Sequence, residues 1–247
     1  MIKQALHSIF TRFLKPVEIK RSWVETPSEF NDLTTFLNWF DRTESVQETQ
    51  KRAQSDWTHK ITAFAQYAQL PKERCLEIGF GGGRLLIEAG KDFQEVIGID
   101  IHTAFDKTRE YINLHHRTNI TLLHRDDMAS LKDSSIDFIY SFIVFQHFDT
   151  YEEVDFYLHH IQRLLSPMGC AHIFFAKNKA PGIRTTDPRE FKKRKCSLFI
   201  DPSLFRNRVS QQFSIIDFQD SMKKHIDQPH SEKNESEQAR VVFTLCA

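Results

Sequence analysis

The sequence predicts an α/β fold: a doubly wound, mostly parallel sheet with an antiparallel final strand, preceded by N-terminal helices. Three observations carry this prediction. From residue 75 onwards, short apolar runs alternate with segments of helical periodicity, the order that crossovers between parallel strands require. The first run, Cys75-Leu-Glu-Ile78, closes on glycines at 79, 81 and 83, which reads as strand, tight turn and helix start. The last two runs are joined by a polar segment without a helix, so they pair antiparallel.

Three helices precede the sheet. Met1 to about Lys15 places Ile2, Leu6, Ile9 and Phe13 on one face, and Lys3, His7, Arg12 and Lys15 opposite, with no acid among them; Pro16 ends it. A second helix starts at Thr26-Pro-Ser-Glu29, with Thr26 as N-cap and Glu29 as its capping-box partner, and runs to about Phe40. A third spans Val46 to Leu70 and stops before Pro71. Strands follow at about 75–80, 95–100, 120–125, 136–142 and 169–176, with helices at about 82–91, 103–116 and 151–165. The last of these helices opens on Thr150-Tyr-Glu-Glu153, a capping box, with Phe148 placed to staple onto Val154. Asp201-Pro202 opens a further helix, a strand covers about 213–218, and a polar excursion over 220–238 leads into the final strand at 239–245.

Composition narrows the function. The 247 residues suit one α/β domain with additions, and 40% hydrophobic residues suffice for a sizeable core. Basic and acidic residues balance at 33 each, so no global basic field advertises nucleic acid. The four cysteines are scattered without a C-x-x-C pair and read as buried small hydrophobes in a reducing compartment. The twelve histidines lack metal-ligand spacing, so no metal is expected. No apolar run reaches eighteen residues and the N-terminus lacks a signal-peptide pattern, so a cytoplasmic protein is expected.

The glycine segment carries the chemistry. Gly79 permits a sharp exit from the strand, Gly81 lets a ligand approach bare backbone, and Gly83 allows close helix packing. The spacing is G-x-G-x-G; the dinucleotide fingerprint would need a glycine at 84, where this chain has Arg84. Glu77, inside a buried strand, is costly unless a cation or donors meet it, and a ligand's ammonium group would do so. Asp100 ends the second strand, where an acid accepts hydrogen bonds from a ribose diol.

Glu77-Ile-Gly-Phe-Gly-Gly-Gly83 resembles the first motif of class I S-adenosylmethionine-dependent methyltransferases, acid-x-Gly-x-Gly-x-Gly. Glu95–Asp100, Ile120–Met128 and Ile136–His147 follow in that family's order, and the resemblance covers about residues 70–178. It implies a Rossmann-like sheet and S-adenosylmethionine as cofactor. The cofactor contacts it implies are Glu77, Gly79, Phe80, Gly81, Gly83, Asp100, Ile101, Asp127, Met128 and Phe142. At the third strand end Asp126 competes with Asp127 for the adenine, and Asp127 is preferred because Met128 beside it can lie on the base. The resemblance further implies that residues 1–56 form an N-terminal extension or lid on a methyltransferase domain at 57–247.

His147, after the fourth strand, is the candidate catalytic base; the alternative is a histidine that bonds its loop or orders the cofactor. The basic runs Lys177–Lys179 and Arg189–Lys195 are either solvated surface or phosphate contacts. Residues 2–14 either pack on the domain or touch an anionic membrane surface peripherally. The predicted activity is methyl transfer to a small-molecule, saccharide or lipid-linked acceptor. The alternatives are an NAD-dependent oxidoreductase, an RNA methyltransferase and a non-catalytic cofactor-binding protein. Arg84, Glu77 and the antiparallel final pair oppose the first, and neutral charge opposes the second.

Overall fold

A computed structural model of the chain describes residues 23–185, 196–222 and 238–246. Among the described residues the apolar runs become nine strands: β1 (Arg74–Ile78), β2 (Glu95–Asp100), β3 (Ile120–His124), β4 (Ile136–Ser141), β5 (Leu165–Ala176), β6 (Ile183–Thr185), β7 (Leu198–Ile200), β8 (Phe213–Gln219) and β9 (Gln238–Leu245). Seven form one sheet in the order β3-β2-β1-β4-β5-β9-β8, while β6 and β7 pair as a small antiparallel ribbon that the sequence pattern does not announce. Strands β1 to β5 run parallel, and β9 runs antiparallel between β5 and the edge strand β8, as the final pair requires. Met222 N–H bonds to the Gln238 carbonyl at 3.1 Å, closing the polar excursion at its ends.

Alternation along the strands sorts side chains into two apolar layers. Leu76, Ile78, Ile97, Ile99, Ile139 and Ile173 pack on one face with helices α5 (Tyr151–Leu164) and α6 (Pro202–Ser210). Cys75, Val96, Phe138, Tyr140 and Phe174 pack on the other with α1 (Leu33–Asp41), α3 (Arg84–Asp92) and α4 (Phe105–Leu114). Glu77 has the parity of Cys75, so it belongs to the face covered by the N-terminal helices. The register places it directly beside Tyr140 of β4.

The N-terminal helices depart from the pattern read in the sequence. The helix proposed for 1–15 lies outside the described residues. The one expected over 26–40 splits into a 3₁₀ turn, Thr26–Glu29, and α1, because Phe30 is extended and Asp32 supplies the cap, accepting from Thr35 N–H at 2.8 Å. Thr26 is not the N-cap. The long helix expected over 46–70 also breaks: α2 (Val46–Asp56) passes into a wide turn, Trp57–Ile61, then a separate 3₁₀ turn, Ala65–Gln69. At α5, Thr150 sits at the N-cap without a side-chain bond; Glu153 instead reaches back to Asp149 N–H at 2.8 Å. Phe148 stacks on Tyr157, ring centres 5.0 Å apart, beside Val154 in the same core. The four cysteines are free, but Cys246 is exposed rather than buried, because β9 ends one residue before it.

Leu33, Phe36 and Leu37 of α1 are buried in the same apolar layer as the strands. Phe36→Ala is therefore expected to cost about 3–5 kcal/mol of global stability in urea unfolding. A loss under about 1 kcal/mol would mean that α1 is not part of the core.

Candidate functional site

Strand order reverses between β1 and β4, and a crevice opens outside their carboxyl ends. A cavity of about 690 Å³ lies there. Its floor is the glycine loop. Gly79 and Gly81 have positive φ, 78° and 51°, which side-chain-bearing residues resist. A Cβ on Gly81 would lie 2.8 Å from the Phe40 ring, so in this structure α1, rather than open space, covers that glycine. The loop is held from below: Gly81 N–H donates to Asp100 Oδ2 at 2.7 Å. The Gly81 carbonyl accepts from Thr108 Oγ1 at 3.2 Å and lies 3.0 Å from His102 Nε2. His102 Nδ1 accepts from Ala104 N–H, so Nε2 carries the proton that Gly81 receives.

Of the sequence-selected residues, Glu77, Gly79, Phe80, Gly81, Asp100, Ile101, Phe142 and His147 all line this cavity. Gly83 does not; it caps α3 with φ 84°. Asp127 and Met128 do not line it either. The chain after β3 forms a 3₁₀ turn, Arg125–Ser130, which buries Met128 in the core and leaves Asp126 and Asp127 in solvent. Three-residue periodicity puts Arg125 on the side of Met128, and Arg125 is the residue of this turn that reaches the cavity. Lys179 lines the mouth, whereas 189–195 lies outside the described residues.

Glu77 is 3% exposed. Tyr140 Oη donates to its Oε2 at 2.9 Å. Burial pushes its acid up to about 8, opposed by the Tyr140 bond and by Arg84, and reinforced by Asp100 and Asp41. Asp100 is satisfied three ways, by Gly81 N–H and by Ile101 and His102 N–H at 2.7 and 3.4 Å. A carboxylate has about four lone-pair sites, so one remains for a ligand. His147 follows Ile143, a β-branched residue at φ 59°, a backbone outlier on the cavity wall. Its ring lies 4.4 Å from that of Trp23, and its Nε2 is 3.3 Å from Gln146 Nε2. Gln146 Oε1 accepts from Gln238 Nε2 at 2.6 Å, so β9 anchors the loop that presents His147.

Several residues of the site escape the sequence reading. Arg84 is buried between Asp41 of α1, 2.5 Å away, and Asp56 of α2, 2.9 Å away. Trp23, Trp39, Phe40 and Arg52 wall the cavity from the N-terminal side. The available signal was a charged residue at the helix position where a dinucleotide loop has glycine. Among the described residues no group of three or more His, Cys, Asp or Glu could hold a metal, and no helix is long and apolar enough to cross a membrane.

Comparison with known proteins fits this geometry. Residues 76–171 match the family model described as a methyltransferase domain. No curated protein matches the sequence. The fold is shared by the PH0226 protein of Pyrococcus horikoshii OT3, with TM-score 0.59, 14% identity, and 96% and 98% of the two chains covered. It is shared by DhpI in its complex with SAH, at TM-score 0.55, 12% identity, and 92% and 97% coverage. The N-methyltransferase NodS of Bradyrhizobium japonicum WM9, in complex with S-adenosyl-l-homocysteine, aligns at TM-score 0.52, 11% identity, and 78% and 85% coverage. The chain thus shares a Rossmann-like fold with these proteins, and its residues 76–171 resemble a methyltransferase domain.

Glu77 gives the ligand-free protein a pH signature. Between about 4.3, the unfolded carboxylate value, and about 8, the folded chain holds a proton that the unfolded chain has lost, so stability falls as pH rises through this window. Glu77→Gln removes that slope. The melting temperature of the variant minus that of wild type should therefore grow between pH 5 and pH 8.5; a constant difference would mean that Glu77 ionises normally.

Proposed function

We propose that this chain is an S-adenosylmethionine-dependent methyltransferase acting on a small-molecule acceptor. The observation that supports it most is the placing of Glu77 and Asp100 on one cavity, either side of a glycine loop, within the matched methyltransferase domain. The residues suit the cofactor. Glu77 faces the cavity with Tyr140 as its one hydrogen-bond donor among the described residues, leaving acceptor capacity for the ammonium of the methionine end. Asp100 retains a lone pair for the ribose, and Phe80, Ile101 and Phe142 supply apolar wall. When bound, the cofactor supplies an electrophilic methyl group on a sulfonium sulfur.

The chain's own task is then alignment and exclusion of water. The cavity volume falls in the range of small-molecule sites, and Trp23, Trp39 and Phe199 enclose it. Glu77, Asp100, Phe80, Ile101 and Phe142 would hold the cofactor so that its methyl carbon could be supplied to the acceptor's lone pair, with the sulfur as leaving group. The proton lost by the acceptor passes to His147, which stands on the cavity wall one loop beyond β4.

Purified protein should melt at higher temperature with S-adenosylhomocysteine and be unaffected by NAD, because only a ligand of the folded state stabilises it. Stabilisation by NAD alone would overturn the reading. Asp100→Asn should weaken S-adenosylhomocysteine binding by about 1.5–3 kcal/mol, roughly 10- to 150-fold in calorimetric Kd, while circular dichroism stays native. Unchanged Kd would remove Asp100 from the cofactor site.

His147→Ala should lower turnover about 10²–10⁴-fold with cofactor affinity retained. Loss of affinity at unchanged turnover would make it a cofactor-ordering residue instead.

A further inference from the structure

The N-terminal helices touch the glycine loop at its most sensitive points. Phe40 lies over Gly81, and a Cβ on Gly82 would sit 2.9 Å from Leu37 Cδ2. One side chain fastens this contact. Arg84, the first residue of α3, is 5% exposed. It bonds Asp41 at the end of α1 through Nε at 2.5 Å and reaches Asp56 at the end of α2 through Nη2 at 2.9 Å. Its guanidinium also lies 5.5 Å from the centre of the Phe142 ring, which lines the cavity. Arg52 donates to the Asp41 carbonyl and Lys60 pairs with Asp56 at 2.6 Å, so the helix ends are tied together as one unit.

We propose that Arg84 is a positioning residue that couples seating of the N-terminal helices to the charge on Glu77. The guanidinium that locks Asp41 and Asp56 lines the same cavity as Glu77, at the opposite end of the glycine loop, and its charge favours the Glu77 anion. The inference rests on the methyl-transfer reading, in which Glu77 meets the cofactor's ammonium. The groups acting on Glu77 come from every neighbouring element: Tyr140 from β4, Asp100 from β2, Arg84 from α3 and Asp41 from α1; Cys75 stands two residues away on its own strand. Arg84 alone among them is cationic. When the helices seat, Asp41 and Asp56 fix the guanidinium on the wall of the cavity that Glu77 also lines. When Glu77 ionises to take an ammonium, it strengthens the hold on Arg84 and, through Arg84, on the helices. Linkage makes the effect reciprocal: a ligand bound at Glu77 tightens helices that it need not touch.

The two ends of the lock make opposite predictions. Arg84→Met removes the cation and leaves Asp41 to oppose Glu77, so the pH midpoint for S-adenosylhomocysteine binding should rise by about one unit or more. Asp41→Asn removes an anion and keeps the cation, so the midpoint should fall. Both variants should raise deuterium uptake over residues 33–56 in the ligand-free protein, because both release the helices. Arg84→Lys keeps the charge without the planar fork. It should restore the midpoint to near wild type and leave uptake between wild type and Arg84→Met. Should Arg84→Met fail to fold, Asp41→Asn and Arg84→Lys still give distinct expectations, a lowered midpoint and one near wild type. Midpoints that move in the same direction, or not at all, overturn the coupling and leave the methyl-transfer reading standing. Arg84→Lys behaving as Arg84→Met overturns it too, since charge would then be irrelevant. Wild-type protein that binds no S-adenosylhomocysteine at any pH overturns the methyl-transfer reading and the coupling with it.

Discussion

The buried arginine at the head of α3 is the constraint around which the site is arranged. A glycine there would give a dinucleotide-type loop with an open helix end. Arg84 instead draws two acids, Asp41 and Asp56, out of water and into the second layer of the core. Burial pushes the Asp41 acid up, and Arg84 opposes that; burial would lower Arg84, and its two partners more than offset this. Such a pair is maintained because either half alone is costly: removing one partner from a buried pair costs about 3–5 kcal/mol. The consequence is geometric. The ends of α1 and α2 must meet the glycine loop, and they bring Phe40, Leu37 and the tryptophan wall with them.

The loop itself is stiffened from the opposite side. Asp100, His102 and Thr108 saturate the N–H and carbonyl of Gly81. Asp100 therefore has two tasks, shaping the loop and presenting an acceptor to the cavity. The same holds for Tyr140: it is a core aromatic packed on Trp57 and Phe138, and its hydroxyl is the group that makes a carboxylate tolerable at position 77.

How much the sequence disclosed follows from the range of the interactions involved. Strands β1 to β5, β8 and β9 were readable because each is a short apolar run whose neighbours in the sheet repeat the pattern, and the absence of a helix before β9 fixed its direction. That Glu77 and Asp100 stand on the cavity was readable because strand ends are placed there by the fold. The breaks at Phe30 and at Trp57–Ile61 were not: periodicity continues through them, while an extended Phe30 and the Asp32 cap restart the helix at the first, and His172 of β5 takes the Ile61 carbonyl at the second. That Asp127 stands in solvent and Arg125 on the cavity was hidden for a similar reason, since spacing cannot show that the chain after β3 turns as 3₁₀. The Arg84 lock joins residues 28 and 43 positions apart in sequence, and only the fold brings them together.

The buried network below α2 shows why the helices seat where they do. His172 in β5 contacts the Ile61 carbonyl through Nδ1 at 2.8 Å, and Arg240 in β9 bonds His172 Nε2 and Asp217 in β8. Burial pulls His172 down to about 3, with Arg240 adding to the effect and the Ile61 bond opposing it, so the ring stays neutral at ordinary pH. A neutral ring has one N–H and one bare nitrogen. Arg240 can only donate, which makes Nε2 the acceptor and sends the Nδ1 proton to Ile61. The tautomer is thus dictated by the strand order: β9 must lie beside β5 for Arg240 to reach Nε2. The antiparallel insertion of β9 and the seating of the turn after α2 are one arrangement, and the helix that carries Asp56 to Arg84 ends in that turn.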